Sequence, residues 1–374
     1  MIPLLDLTRQ TKALGPELSR ALGRVLRKGQ FILGEEVSLF EKEFARFCGA
    51  RHAVGVASGT DALELSLRAA GVKPGDRVAI PSFTFMATAD AVLHVGARPL
   101  FVDIDPETYT LDPADLERRI RSLGRAERAR LRAVIPVHLY GHPCRMDALL
   151  RVARRHRLKV VEDAAQAAGA RWGKRAIGSF GDAGCFSFFP TKNLGCFGDG
   201  GAVTTGSASA AARVRSLRVH GRREGAGLVQ EELGRNSRLD ELQAALLRVK
   251  LRRLKGWVAA RRRLARLYTR ELSKIPGLEC PVERPRARHA YHLYVVRCRQ
   301  RRRLQEGLRR MGIASQVYYP VPVHRQPTHR AWSRGVRLPE TEKACREALA
   351  LPLFPEMTAA EVRRVCRAVR SMLR

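Results

Sequence analysis

Short apolar runs rich in β-branched residues recur between residues 53 and 205. They are Ala53–Ala57, Val78–Ile80, Pro99–Ile104, Ala133–Val137, Lys159–Asp163, Ala183–Phe188 and Gly201–Thr205. Apolar residues follow one another in these runs instead of alternating with polar ones. That is the pattern of strands buried on both faces of a mostly parallel sheet. Helical patterns separate several of them. Asp61–Ala70 follows the first run and stops at Gly71, a C-cap signal, and Asp147–Arg157 lies between the fourth and fifth. Alternating strand and helix predict a layered α/β domain around a sheet of about seven strands. Asp199-Gly200 is a tight-turn signal just before the last run, so that strand is expected to reverse direction.

Beyond Leu239 the strand signal fades. Asp240–Leu272 reads as one long helix, with apolar residues at Leu242, Ala245, Leu246, Val249 and Leu254. A strand at His292–Arg297, a helix at Arg301–Met311 and a last helix at Ala359–Leu373 predict a smaller α/β unit. The division expected is 1–240 for an N-terminal segment with the large domain, and 241–374 for a linking helix with a small domain. Ahead of residue 50, the Gly-flanked segment KGQFILG, Lys28–Gly34, reads as a loop.

Of the 374 residues, 45% are hydrophobic, enough to bury a sizeable core. The formal charge of +33 points first to nucleic acid or an anionic membrane. Its distribution weakens that reading. Residues 1–110 carry 13 basic and 13 acidic side chains, whereas residues 111–374 carry 56 and 23. A nucleic-acid binder or non-catalytic regulator would need an aromatic-rich basic face or a helix-turn-helix, and with aromatics at only 6% it is the distant alternative. Salt-dependent DNA binding would reveal one. The basic runs Arg261–Arg263 and Arg301–Arg303 fall on predicted helices, where solvated faces are expected.

The eight cysteines form no CxxC pair, which argues against a zinc ribbon and for scattered, reduced, buried thiols; no metal is expected. MIPLLDLTRQ does not read as a signal peptide, and no run reaches about 18 apolar residues. A soluble cytoplasmic protein that binds neither nucleic acid nor membrane is expected.

Three segments past strand ends carry candidate chemistry. Ser58-Gly59-Thr60-Asp61 opens the first helix, where unpaired N–H groups and the helix dipole favour an anion. The plain alternative is an N-cap supplied by Thr60 or Asp61. Asp163, in EDAAQ at the end of the fifth run, faces the crevice where ligands of open α/β sheets bind. It could hold a ring nitrogen protonated, with small Ala165 beside the ring; a solvated strand end is the alternative. Lys192, in SFFPTKN past the sixth run, could be desolvated into a nucleophilic amine, or be a surface lysine. Together the three match the needs of pyridoxal phosphate: a phosphate cradle, a carboxylate for the pyridine nitrogen and a lysine for the aldehyde. Phe85, in PSFTFMAT, could stack on one ring face opposite Ala165.

These motifs resemble the DegT/DnrJ/StrS group of pyridoxal-phosphate aminotransferases, which act mainly on nucleotide-linked keto-sugars. The resemblance runs over nearly the whole chain, from FILG at Phe31 through ASGTDAL, PSFTFMATA, FVDIDPETY, IPVHLYGHPCRMD and EDAAQAAGA to GSFGDAGCFSFFPTKNLGCFGDGGA. It continues in RNSRLDELQAA, YHLYVVR, YYPVPVHRQP and LPLFPEMT. It implies a fold type I α/β architecture, a seven-stranded large domain with a smaller C-terminal domain, assembled as a homodimer. It implies that Lys192 bonds the cofactor, Asp163 meets the pyridine nitrogen and Gln166 lies by the ring hydroxyl. Gly59, Thr60 and Ser187 would hold the phosphate, and Asn236 would reach the neighbouring subunit's phosphate. His324 matches a position near the sugar nucleotide, Arg238 and Phe31 are further substrate-binding candidates, and Arg222 is another arginine for an anionic group.

Three departures stand out: Ala168 in place of a larger residue, Cys196-Phe197 in place of Ala-Tyr, and RVHGRREG from Arg218. Some relatives are dehydratases with histidine at the lysine position, so Lys192 argues for transamination. The expected reaction moves an amino group, with L-glutamate as donor, to a nucleotide-diphosphate-linked keto-sugar, 3-keto favoured over 4-keto. The main alternative on the same fold is an aminotransferase or synthase for a cyclitol or another non-nucleotide keto compound.

Overall fold

The computed structural model describes residues 1–222 and 229–373. Seven strands form the main sheet: β1 (His52–Val56), β2 (Arg77–Pro81), β3 (Arg98–Val102), β4 (Leu131–Val134), β5 (Lys159–Asp163), β6 (Ala183–Ser187) and β7 (Gly201–Thr205). Each coincides with one of the seven apolar runs. Their order is β1-β7-β6-β5-β4-β2-β3. The β2–β3, β2–β4, β4–β5 and β5–β6 pairs are parallel, whereas β7 runs antiparallel to both β1 and β6. This is the reversal that Asp199-Gly200 signals.

Successive strand residues enter opposite cores, which is why the runs do not alternate. Ala53, Ala79, Val160 and Phe186 pack with Phe40, Phe44 and Leu254 on one face. Their neighbours Val54, Ile80, Val161 and Cys185 pack with Leu63, Leu67 and Val92 on the other. The first core is fastened by aromatic edges, with the Phe44 and Phe186 centroids 4.9 Å apart at 88°.

Two N-terminal helices, Leu7–Lys28 and Glu35–Cys48, flank the Lys28–Gly34 loop, where the sequence predicts the loop alone. The second has no side-chain cap of its own. Instead Glu241, buried, accepts the N–H groups of Gly34, Glu36 and Val37 at 2.8–2.9 Å. A carboxylate there satisfies orphan donors and complements the helix dipole. Glu241 opens the long helix Glu241–Leu272, one residue from the expected start. The first part of this helix packs Ala245, Leu246 and Val249 on Leu14 and Leu18. Its last turns place Leu264, Tyr268 and Leu272 in a separate core with Tyr294, Leu349 and Val365. That core covers a small antiparallel sheet of Leu278–Glu279, Tyr294–Cys298 and Ala348–Leu351. Ile2 joins it and bridges Ile313, so the first residues of the chain pack with the last hundred.

One basic run is only in part a solvated face. Arg261 is buried and donates to the carbonyls of Tyr291, His292 and Leu353 at 2.8–3.3 Å. Buried carbonyls in an irregular segment need such a donor, and five guanidinium N–H groups supply it. All eight cysteines are free and seven are buried. Among the described residues no helix is long and apolar enough to cross a membrane.

Candidate active site

The carboxyl ends of β1, β2, β5 and β6 open onto one cavity of about 380 Å³. Gly59, Thr60, Phe85, Asp163, Ala165, Gln166, Ser187 and Lys192 all line it. Ser58 is the N-cap of the helix Gly59–Ala69, its hydroxyl accepting the Asp61 N–H at 3.1 Å. The cap is therefore neither Thr60 nor Asp61. Asp61 instead accepts from Arg235 and Ser237, which tie this helix end to the 235–237 segment. The N–H groups of Gly59 and Thr60, in the helix's first turn, have no intrahelical partner and none among the described residues. A Cβ on residue 59 would lie 2.6 Å from the Ser187 Cβ, so only glycine lets these two strand ends close into a cradle. Two free amides, a helix N-terminus and a facing hydroxyl make an arrangement able to bind an anion such as a phosphate.

Asp163 is buried at the end of β5. Its Oδ1 accepts the Ala165 N–H at 3.1 Å and its Oδ2 accepts the Thr88 hydroxyl at 2.8 Å. Burial raises its pKa, opposed by these two donors and by Lys192. Lys192 lies in a tight turn beyond β6, where its N–H bonds the Phe189 carbonyl at 2.8 Å. Burial lowers its pKa to about 8, against the pull of Asp163. Its remaining exposure is toward the cavity it lines.

The long helix Glu241–Leu272 fixes the segment that carries Lys192. Gln243 accepts from the Phe197 N–H and donates to the Phe197 carbonyl, at 2.8 and 3.2 Å. Lys250, buried, donates to the Gly195 carbonyl at 2.6 Å and stands 4.2 Å from the centre of the Phe197 ring. Gly195 itself is required, because a Cβ there would come within 2.4 Å of the Pro190 carbonyl oxygen.

Gln166 is held at both ends. Its Oε1 accepts the Tyr140 N–H at 2.7 Å and its Nε2 donates to the Tyr319 hydroxyl at 3.0 Å. Phe85 stands at the cavity wall with half its surface open, its ring 6.0 Å from that of Tyr319 and tilted by 37°.

Five substrate or cofactor candidates lie elsewhere. His324 is buried outside the cavity lining, its Nδ1 2.7 Å from the Ser82 hydroxyl and its Nε2 3.3 Å from Glu342. Both ring nitrogens are thus engaged, Nδ1 at the end of β2 and Nε2 at the helix Pro339–Glu347. Arg238 does not line the cavity, and its buried Nε has no partner. Asn236 is exposed, and Phe31 is exposed with its carbonyl accepting the Glu241 N–H. Arg222 pairs with the backbone of Gln230 and Val219. Of the departures, Ala168 is buried in the core and Cys196 is buried beneath the loop, so neither lines the cavity. Residues 223–225 of RVHGRREG lie outside the described residues.

The cavity also contains groups to which sequence reasoning gave no role: Thr84, Thr88, Phe189, Asp199, His292, Tyr318 and Tyr319. Several sit inside the quoted motifs. Thr84 and Thr88 are four apart in PSFTFMATA, a helical spacing that signals one shared face. His292 lies in YHLYVVR; burial and nearby Lys192 push its imidazole well below its ordinary pKa, and its Nδ1 has no partner.

A cradle for phosphate, a buried carboxylate and a desolvated lysine at the strand ends of one α/β sheet define a pyridoxal-phosphate-dependent aminotransferase of fold type I. Comparison with known proteins places it more closely. The chain belongs to the DegT/DnrJ/EryC1/StrS aminotransferase family, whose model matches residues 12–370. It is 45% identical over 371 residues to the dTDP-3-amino-3,4,6-trideoxy-alpha-D-glucose transaminase of Streptomyces venezuelae, covering 99% of this chain and 95% of the relative. It is 44% identical to the pleiotropic regulatory protein of Geobacillus stearothermophilus, covering 95% and 94%. The crystal structure of S. venezuelae DesV in complex with ketimine intermediate matches with a TM-score of 0.94 at 45% identity, over 99% of this chain and 98% of that one.

Proposed function

We propose that the protein transfers an amino group from L-glutamate to a 3-keto-sugar linked to a nucleoside diphosphate, in amino-sugar biosynthesis. The observation that carries the transfer is the convergence of Lys192, Asp163 and the free amides of Gly59 and Thr60 on one cavity. The dTDP-3-amino sugar in the name of the Streptomyces relative supports a nucleotide-linked substrate and amination at C3.

In this reading Gly59, Thr60 and Ser187 hold the phosphate of the cofactor. Asp163 would accept a hydrogen bond from the protonated pyridine nitrogen, Phe85 and Ala165 would flank the ring, and Gln166 would stand by the ring hydroxyl. Bound there, pyridoxal phosphate supplies a carbonyl that carries the amino group and a ring that takes up carbanion charge. Lys192 anchors it before the donor arrives. Its Nζ, free once the donor is bound, would take the proton from the donor's α-carbon and return it to the carbon that had been the cofactor's aldehyde. A general base so placed contributes roughly 10²–10⁴-fold. A pKa of about 8 keeps part of the amine unprotonated near neutrality. In the second half-reaction Lys192 moves the proton in reverse and the keto-sugar leaves as an amino sugar.

The active form is a homodimer in which Asn236 serves the neighbouring subunit's phosphate site. Support comes from its exposed side chain and from the exposed apolar residues Phe31, Ile32 and Leu33, which pair with the 240 segment through Ile32 and Asp240. The test is a half-reaction of the protein loaded with pyridoxamine phosphate, using a panel of 3-keto and 4-keto sugar nucleotides and a keto-cyclitol. Fastest turnover on a 3-keto sugar nucleotide is expected. Turnover of the cyclitol alone would overturn the substrate class.

A further inference from the structure

The carboxylate of Asp163 is at the end of a chain of three buried groups. Thr84 Oγ1 lies 2.8 Å from Thr88 Oγ1, and Thr88 Oγ1 lies 2.8 Å from Asp163 Oδ2. Thr84 is 3% exposed, Thr88 1% and Asp163 5%, and all three line the cavity. An ionised carboxylate accepts hydrogen bonds and donates none. Thr88 therefore gives its only proton to Asp163. Its oxygen must then accept from Thr84, whose proton is spent in turn. While Asp163 is charged, the direction of the chain is fixed from Thr84 through Thr88 to Asp163.

We propose that Thr84 and Thr88 are positioning residues that keep Asp163 ionised and aimed for the cofactor's ring nitrogen. The proposal rests on the assignment of Asp163 to that nitrogen. Each hydroxyl polarises the next where all three groups are buried, so the carboxylate at the end receives a stronger donor than a lone threonine provides. The same segment carries the ring-stacking candidate. Phe85 lies between the two threonines, and its carbonyl accepts the Thr88 N–H at 3.1 Å. One turn of chain thereby sets both the face of the ring and the partner of its nitrogen. The span matters as well, because Thr88 and Asp163 are 75 residues apart and their bond ties the helix Ala87–His94 to the end of β5.

The experiment compares Thr88→Val, Thr88→Ser, Thr84→Val and Asp163→Ala with the parent protein. Cofactor-free samples are titrated with pyridoxal phosphate to give Kd, the visible absorption bands of each loaded sample are recorded, and Tm is measured for each. Thr88→Val keeps the shape and removes the donor, so Kd should rise about tenfold, and the visible bands should shift in the direction seen for Asp163→Ala. Thr84→Val should raise Kd about twofold to threefold. Thr88→Ser should restore the parent spectrum and Kd. If Asp163→Ala leaves the spectrum unchanged, the assignment of Asp163 fails. If Asp163→Ala shifts it while Thr88→Val keeps the parent spectrum and Kd, the relay alone is overturned. A lowered Tm in Thr88→Val with no spectral change would likewise assign Thr88 a merely structural role and overturn it.

Discussion

Gly59 and Ser187, from the ends of two different strands, approach so closely that a Cβ on residue 59 would stand 2.6 Å from the Ser187 Cβ. Real side chains do not meet at that distance, so Gly59→Ala must push the helix start or Ser187 away from the cradle. The expected result is at least a tenfold rise in the Kd for pyridoxal phosphate, while the far-UV circular dichroism stays that of the parent. An unchanged Kd would show that the cradle does not hold the phosphate.

The desolvated amine of Lys192 sets a pH dependence. The group titrates near 8 in the cofactor-free protein, below the ordinary lysine range, and only the unprotonated amine attacks an aldehyde. The rate of capture of pyridoxal phosphate, followed by stopped-flow absorbance, should rise about tenfold from pH 7 to pH 9 and level off above that. A rate still climbing in proportion to hydroxide at pH 10 would mean that Lys192 behaves as an ordinary surface lysine.

Glu241 makes a prediction about stability. It satisfies three backbone N–H groups at the start of the helix Glu35–Cys48. Glu241→Ala leaves those donors without a partner and should cost about 2–4 kcal/mol in urea unfolding. Glu241→Gln keeps one acceptor oxygen and should cost less. Equal losses for the two variants would contradict the capping role.

The assignment of Asn236 to the neighbouring site can be tested by mixing. Lys192→Ala and Asn236→Ala should each be weak or inactive alone. A mixed dimer of the two holds one site with both residues intact if Asn236 acts across the interface. Mixing followed by reassembly should then recover activity well above either variant. No recovery in a confirmed mixed dimer would place Asn236 in its own subunit's site or outside both.

The strands were legible because each is buried on both faces, which leaves an unbroken apolar run. The helix Leu7–Lys28 buries Leu14, Leu18, Ala21 and Val25 at helical spacing, but Pro16 lies inside it and glycines at 15 and 23 dilute the signal. Lys192, Asp163 and Gly59 were legible because each follows a strand end, where sequence position already implies the crevice. The bond from Thr88 to Asp163, that from Gln166 to Tyr319 and the place of His292 in the cavity depend on contacts across long stretches of chain, which no local pattern records. The reverse holds for His324. Its motif is recognisable, but Ser82 and Glu342 occupy both nitrogens and keep it out of the cavity. The charge excess has a similar lesson in Arg261, which looks like one arginine in a basic run yet holds three buried carbonyls.

The central claim is that Lys192 carries the cofactor during amino transfer. Borohydride reduction of the loaded protein, followed by peptide mass spectrometry, tests it most directly. The expected result is a phosphopyridoxyl mass on the peptide containing Lys192, with loss of transamination in step with labelling. A label on another lysine, or full activity after Lys192 is labelled, would contradict the account.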